Sequence, residues 1–191
     1  MKAESNTERM NPMKDIVVLY SSRYGSTKRY AEAIAARLHC PALDTKKGKE
    51  ALSDYETIIF GGGIYASGIR GVSLLTKNFQ KLRDKRLFVF TVGISDPTDP
   101  SRFSPMLEKI FSPEMRKQIR FFHFRGGMDY SKMSFLHRTM MKMLKSMIEK
   151  KPLSERTDED EGILSTFGGK VDFFDENAIS PLVEAVEEGS L

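Results

Sequence analysis

The sequence predicts an α/β domain built on a parallel sheet with helices on both faces. Two patterns predict it. Short, continuous apolar runs rich in β-branched and aromatic residues recur at 16–20 (IVVLY), 57–60 (TIIF), 86–92 (RLFVFTV) and 119–124 (IRFFHF), the mark of strands buried on both faces. Stretches with apolar residues at helical spacing separate them, and that alternation calls for parallel strands joined by crossover helices. A third observation locates a ligand-binding edge: the first strand runs directly into Ser21, Ser22, Arg23, Tyr24, Gly25, Ser26 and Thr27, all hydroxylic, small or cationic.

In chain order, the first strand is followed by Tyr30, Ala31, Ile34, Ala35 and Leu38 at helical spacing. Residues 42–45 predict a short edge strand, and 46–54 a polar loop with a brief helical turn. The second buried strand ends at Gly61-Gly62-Gly63, and 64–71 is a loop by its glycines. Val72, Leu75, Phe79 and Leu82 predict one helix over 72–82. The third buried strand opens into the turn-rich stretch 93–100, after which 103–111 is a helix with Ser101 as its cap. Beyond the last strand, Ile179, Leu182, Val183 and Val186 place the closing helix within 173–188.

A strand, a hydroxyl-rich turn and a helix N-terminus make an anion site, because free backbone N–H groups and the positive helix end point at whatever sits there. Residues 20–28 contain neither the G-x-x-x-x-G-K-[ST] of a triphosphate loop nor the G-x-G-x-x-G of a dinucleotide loop. Gly61-Gly62-Gly63 fails the second motif as well, since position 66 is alanine. Hydroxyls of Ser22, Ser26 and Thr27 suit one terminal phosphate, with Gly25 permitting close approach and Arg23 adding charge. That suits a mononucleotide monophosphate better than a di- or triphosphate. The plainer reading makes Ser26 or Thr27 a helix cap.

The stretch YSSRYGST with its following amphipathic helix resembles the phosphate loop of flavodoxin-like proteins, where a [ST]-x-x-G-x-T pattern holds the phosphate of FMN. Ser22, Gly25 and Thr27 fall on that pattern, and Ser26 stands where many relatives carry Asn. Arg23 and Tyr24 stand where shuttle flavodoxins carry Thr or another small residue. The resemblance implies a doubly wound five-stranded parallel sheet in the order 2-1-3-4-5, with FMN beyond the carboxyl ends of the strands at the switch point. Loops 21–27, 62–71 and 91–100 meet there. The flavin ring would then lie between Gly63, Ile64 and Tyr65 on one side and Thr91, Val92, Gly93, Ile94 and Ser95 on the other. Tyr65 either stacks on that ring or is a surface tyrosine.

A long interval, about 125–170, separates the last strand from the closing helix. Within it Met133, Leu136, Met140, Leu144 and Met147/Ile148 trace an apolar stripe, with Lys132, Arg138, Lys142, Lys145, Lys150 and Lys151 on other faces. One reading packs this helix on the domain or on a partner chain. The other lays a basic, methionine-rich helix (about 131–151) on an anionic membrane or a greasy substrate. DYSKMSFLHRTMMKMLKSM is similar to the long insertion of bacterial menaquinone-dependent protoporphyrinogen IX dehydrogenases, FMN proteins of flavodoxin fold that pass electrons from a porphyrinogen to quinone. That likeness runs from Ile16 to about Val186. It implies an FMN-dependent oxidoreductase with a porphyrinogen or quinone substrate. The alternative is a non-catalytic electron carrier docking on a redox partner protein.

Composition narrows the remaining classes. With 191 residues and 40% apolar content, the chain predicts one domain over 14–191 preceded by a tail at 1–13. It has no run of ~18 apolar residues and no signal-like start. Cys40 is the single cysteine, which rules out an intrachain disulfide and makes the cytoplasm the default location, peripheral to the membrane's inner face if the basic helix meets lipid. The formal charge of +4 and pI near 9.1 are unevenly distributed: 114–151 holds ten Lys/Arg against three Asp/Glu, and 152–191 holds two against eleven. Such asymmetry points to a basic face meeting an anionic partner. It does not suit an acidic shuttle flavodoxin, and no nucleic-acid motif accompanies it. His39, His123 and His137 are scattered without metal-ligand spacing, so no metal site is predicted. His123 reads as a hydrogen-bonded core histidine, and 158–161 as a solvated acidic loop. No side chain stands out as general acid or nucleophile, so none is assigned a catalytic role.

Overall fold

The computed structural model describes residues 15–65 and 68–188; the tail read at 1–13 lies outside them, as do Ala66 and Ser67 of the 64–71 loop. In chain order the elements are β1 (Ile16–Ser21), α1 (Ser26–Arg37), β2 (Ala42–Asp44), α2 (Gly48–Asp54), β3 (Thr57–Tyr65), β4 (Gly68–Ile69) and α3 (Ser73–Thr76). Then come β5 (Arg86–Gly93), α4 (Ser104–Ile110), α5 (Pro113–Gln118), β6 (Ile119–Arg125), β7 (Gly127–Asp129), α6 (Phe135–Glu149), α7 (Asp158–Thr166), β8 (Lys170–Asp172) and α8 (Ser180–Glu187). The main sheet runs β2-β1-β3-β5-β6, all parallel. With the β4 hairpin strand set aside, this is the 2-1-3-4-5 order of a flavodoxin-like α/β fold.

Alternation along each strand feeds two cores. Ile16, Val18, Ile59, Phe88, Phe90 and Phe124 face α1 and α8, meeting Tyr30, Ile34, Ile179, Leu182 and Val186. Val17, Leu19, Ile58, Phe60, Leu87 and Val89 face the other way, onto Leu75, Phe79, Leu82, Leu107 and Phe111. Each such side chain contributes about 1.5–3 kcal/mol of burial, which overrides weak local propensities. Tyr30 ties the first helix to the far end of the chain: its phenol donates to the Arg125 carbonyl (2.8 Å) and accepts from the Asp175 N–H (3.1 Å).

Several elements differ from the sequence expectation. The second buried strand does not stop at its glycines. β3 continues to Tyr65, with Gly61, Gly62 and Gly63 laddered to Phe90, Thr91 and Val92 of β5. The glycines make room for neighbours: a Cβ on Gly61 would sit 2.1 Å from Phe90 Cζ. The helix expected over 72–82 is broken into α3 and a 3₁₀ turn at Phe79–Leu82. Asn78 causes the break, because its side-chain amide donates to the Leu74 carbonyl (2.8 Å) in place of the main-chain bond. Ser101 is not the cap of the next helix; Asp99 accepts its N–H (3.0 Å) and starts a 3₁₀ turn before α4. Helix α5, capped by Ser112, has no apolar periodicity to announce it.

The insertion leaves the sheet at Gly126 and is clasped at its base by the antiparallel pair β7–β8. The acidic run at 158–161 is not a loop. It opens α7, where Thr157 and Asp160 form a reciprocal capping box and Lys151 Nζ sits 2.8 Å from Asp160; carboxylates there suit the positive end of the helix. The expected stripe on α6 does not pack as one face. Ile148 is buried and Met133 half-buried, whereas Leu136, Met140, Leu144 and Met147 are exposed. The inward side is His137, Met141, Lys145 and Ile148, rotated from the stripe by roughly a residue's turn.

Candidate functional site

The turn between β1 and α1 is shaped by Gly25, whose φ of 101° and ψ of −26° suit glycine. Its N–H donates to Ser22 Oγ (3.1 Å), folding the turn on itself. No side chain caps α1, and its first turn carries no acid, so neither the Ser26 nor the Thr27 hydroxyl takes up the first-turn amides. Nothing lies within 4 Å of where a Gly25 Cβ would be. Ser26 Oγ instead accepts the Gly127 N–H (3.2 Å), which fastens the insertion to the turn. Thr27 is buried, its Oγ1 3.3 Å from where a Cβ on Gly63 would project.

The β3 loop closes over this turn. The Tyr65 ring lies across Gly63, 2.9 Å from the same hypothetical Cβ, and Ile64 reaches over to Gly93, where an added Cβ would meet it at 3.2 Å. Gly93 also accepts the Gly126 N–H (2.6 Å), and Arg125 Nε donates to the Ile94 carbonyl (3.0 Å). Residues 22–27, 63–65 and 93–95 therefore meet at one edge of the sheet. Thr91 and Val92 do not present their side chains there. Both sit inside β5, Thr91 fully buried with Oγ1 2.6 Å from His123 Nδ1, and Val92 in the core against α1.

A cleft of about 490 Å³ opens beside Ile64 and Ser95 and continues to Arg102, Phe103, Met106 and Thr157, within the ~300–1,000 Å³ usual for small-molecule sites. The last four came from no sequence signal, because the β5–α4 turn and the start of α7 meet only in the folded chain. His123 braces the wall: its ring stacks on Phe103 at 3.7 Å and 11°. Burial pushes its pKa down to about 4, so the imidazole is neutral at physiological pH.

Position 137, read as one of three scattered histidines, reaches both loops. His137 Nδ1 is 2.7 Å from Tyr24 Oη, and its ring lies 5.6 Å from that of Tyr65 at 25°. Arg23 and Arg70 make this corner positive. Burial raises the Tyr65 phenol and the two cations, Arg70 foremost, oppose it. Burial, then Arg23 and Arg70, lower the His137 pKa.

The flavodoxin-domain family model matches residues 17–172. No curated protein matches the chain in sequence. Among solved structures, the Trp repressor binding protein from Bacillus subtilis is 18% identical with a TM-score of 0.39, over 58% of this chain and 83% of its own. A flavodoxin from the domain Archaea is 16% identical (TM-score 0.36; 56% and 82%). Oxidised flavodoxin 1 from Bacillus cereus is 15% identical (TM-score 0.37; 58% and 83%).

Proposed function

This chain belongs to the flavodoxin-domain family, and on that premise we propose that it is an FMN-binding oxidoreductase. The observation that carries the reading is the uncapped N-terminus of α1 behind the left-handed Gly25, with Ser22 and Arg23 in the same turn. That arrangement suits the monoester phosphate of FMN, and the open space at Gly25 leaves its approach clear. Ile64 and Tyr65 on one side and Gly93, Ile94 and Ser95 on the other would hold the ring. When bound, FMN supplies reversible hydride and electron transfer; the chain's residues fix its position and surround it with the charges of Arg23 and Arg70. The test is the absorbance spectrum of purified protein before and after incubation with FMN. Flavin bands that persist through desalting support the reading, and colourless protein refutes it.

An enzyme with a small-molecule substrate is favoured over a plain carrier because the cleft runs past the ring loops to Phe103, Met106, Arg102 and Thr157. Its lining divides between apolar Ile64, Phe103 and Met106 and polar Ser95, Arg102 and Thr157, which suits a flat molecule with an apolar body and polar edges, such as a quinone or porphyrinogen. One observation favours a second reading, a carrier or enzyme that docks on a partner or on the inner membrane face through α6. Phe135, Leu136, Met143 and Met147 are 86%, 65%, 63% and 65% exposed, alongside the exposed Arg138, Lys142 and Lys150. No helix among the described residues is long and apolar enough to cross a membrane, so such contact would be peripheral. Quinone-reductase turnover and sedimentation with anionic vesicles, each measured for wild type and Leu136→Ser/Met147→Ser, separate the two. Turnover loss with FMN retained favours a substrate role for the helix, and loss of sedimentation alone favours the membrane.

A further inference from the structure

We propose that His137 is a positioning residue of the flavin site, a latch by which the insertion holds the phosphate loop and the ring loop together. This rests on the flavin reading of those loops. The Ser134 N–H donates to Tyr24 Oη at 3.3 Å, and His137 Nδ1 lies 2.7 Å from the same oxygen. The pair is satisfied when the phenol O–H donates to Nδ1 while its oxygen accepts from Ser134, and in that arrangement the imidazole is a neutral acceptor. The same imidazole stacks on Tyr65 (5.6 Å, 25°) and takes the Tyr24 ring on its edge (5.7 Å, 66°). One side chain of the insertion therefore touches both loops that would hold the cofactor.

Apolar packing does not hold this end of α6, because Phe135 and Leu136 are 86% and 65% exposed. The base of the insertion is held separately, by the Arg29–Asp172 ion pair (2.5 Å) and the Gly127–Ser26 hydrogen bond. Breaking the latch should therefore release the start of α6 without unfolding the domain. Flavin binding and docking of that end are then linked, each favouring the other by the same factor.

Protonation should open the latch. It would turn Nδ1 from acceptor to donor and set a third cation beside Arg23 and Arg70, the charged groups that face it. Tyr24 and Tyr65 are the other titratable groups against the ring, while Arg138 on its own helix is turned back onto the Met133 and Ser131 carbonyls. An undocked imidazole binds its proton more tightly than the docked one. Docking is therefore complete above the ordinary imidazole range and is lost as pH falls through the lowered value.

Fluorescence titration of the full chain with FMN at pH about 7.5 and about 5.5 tests this. A phosphate monoester itself gains a proton near pH about 6, so the informative quantity is the affinity of a variant relative to wild type at each pH. Tyr24→Phe and His137→Phe, which keep the rings, should bind about fivefold more weakly at the higher pH, the size of one such hydrogen bond. At the lower pH that ratio should move toward one. Hydrogen exchange of residues 134–142, measured without flavin, should be faster in Tyr24→Phe than in wild type. Equal exchange in the two proteins overturns the latch, as does an affinity ratio that does not change with pH. Wild-type protein that takes up no FMN ends the cofactor reading, and the exchange comparison alone then decides the latch.

Discussion

Replacing Gly25 by alanine isolates the backbone geometry on which the phosphate reading depends. At φ 101° and ψ −26° an L-residue bears about 1–3 kcal/mol of strain. No clash adds to it, since nothing lies within 4 Å of the new Cβ. The strain must appear somewhere. If the turn keeps its shape, the flavin-free protein loses that stability, a fall in Tm of about 2–4 °C per kcal/mol for a chain of this size, and FMN affinity is unchanged. If the turn relaxes to negative φ, stability is spared but the α1 amides turn away, and affinity falls up to about a hundredfold at about 1.4 kcal/mol per tenfold. The measured losses in unfolding and binding free energy should therefore sum to about 1–3 kcal/mol. Thermal unfolding of flavin-free protein, paired with FMN titration, gives both. A variant that matches wild type in both would refute the assignment of a left-handed phosphate turn.

Three further outcomes follow from the geometry. Gly61→Ala drives a methyl to 2.1 Å from Phe90 Cζ and should cost about 1–3 kcal/mol by overpacking; Phe90→Leu in the same chain should recover part of it, read by chemical denaturation. His123, held neutral by burial with a pKa lowered from 6.5 to about 4, contributes stability that is complete above its ordinary pKa and lost as pH falls from there toward the lowered value. His123→Phe should therefore flatten the stability profile across that window by about 1–2 kcal/mol, a figure discounted for partial exposure, as followed by denaturation at stepped pH. Arg70→Gln removes a cation that acts on Tyr65 and His137. It should lower the flavin midpoint potential by about 10–30 mV, where about 30 mV is 1.4 kcal/mol for two electrons; an unchanged potential in spectroelectrochemical titration would show that the arginine's field does not reach the ring.

Sequence alone determined the parts whose reasons are local. A run such as Ile16 to Tyr20 has no face to offer water, so it must be an inner strand, and four such strands with an edge strand and intervening helices admit few arrangements. The 22–27 turn was legible as a turn because small and hydroxylic residues with a glycine separate an apolar strand from an amphipathic helix. What needed the tertiary structure were decisions made between distant segments. Gly61 to Gly63 look like a strand end in isolation, but Phe90 and the returning segment at Ile69 occupy the space their missing side chains leave. The periodicity of α6 shows that a helix forms without showing which stripe faces inward, because Leu136 and Met147 are as apolar as Ile148. The inward side follows from what each part meets: Tyr24 and Tyr65 reach His137 across more than seventy residues of chain, and Lys145 lies over the Phe167 ring. Local pattern specifies an element and its range of faces; only packing against distant neighbours selects among them.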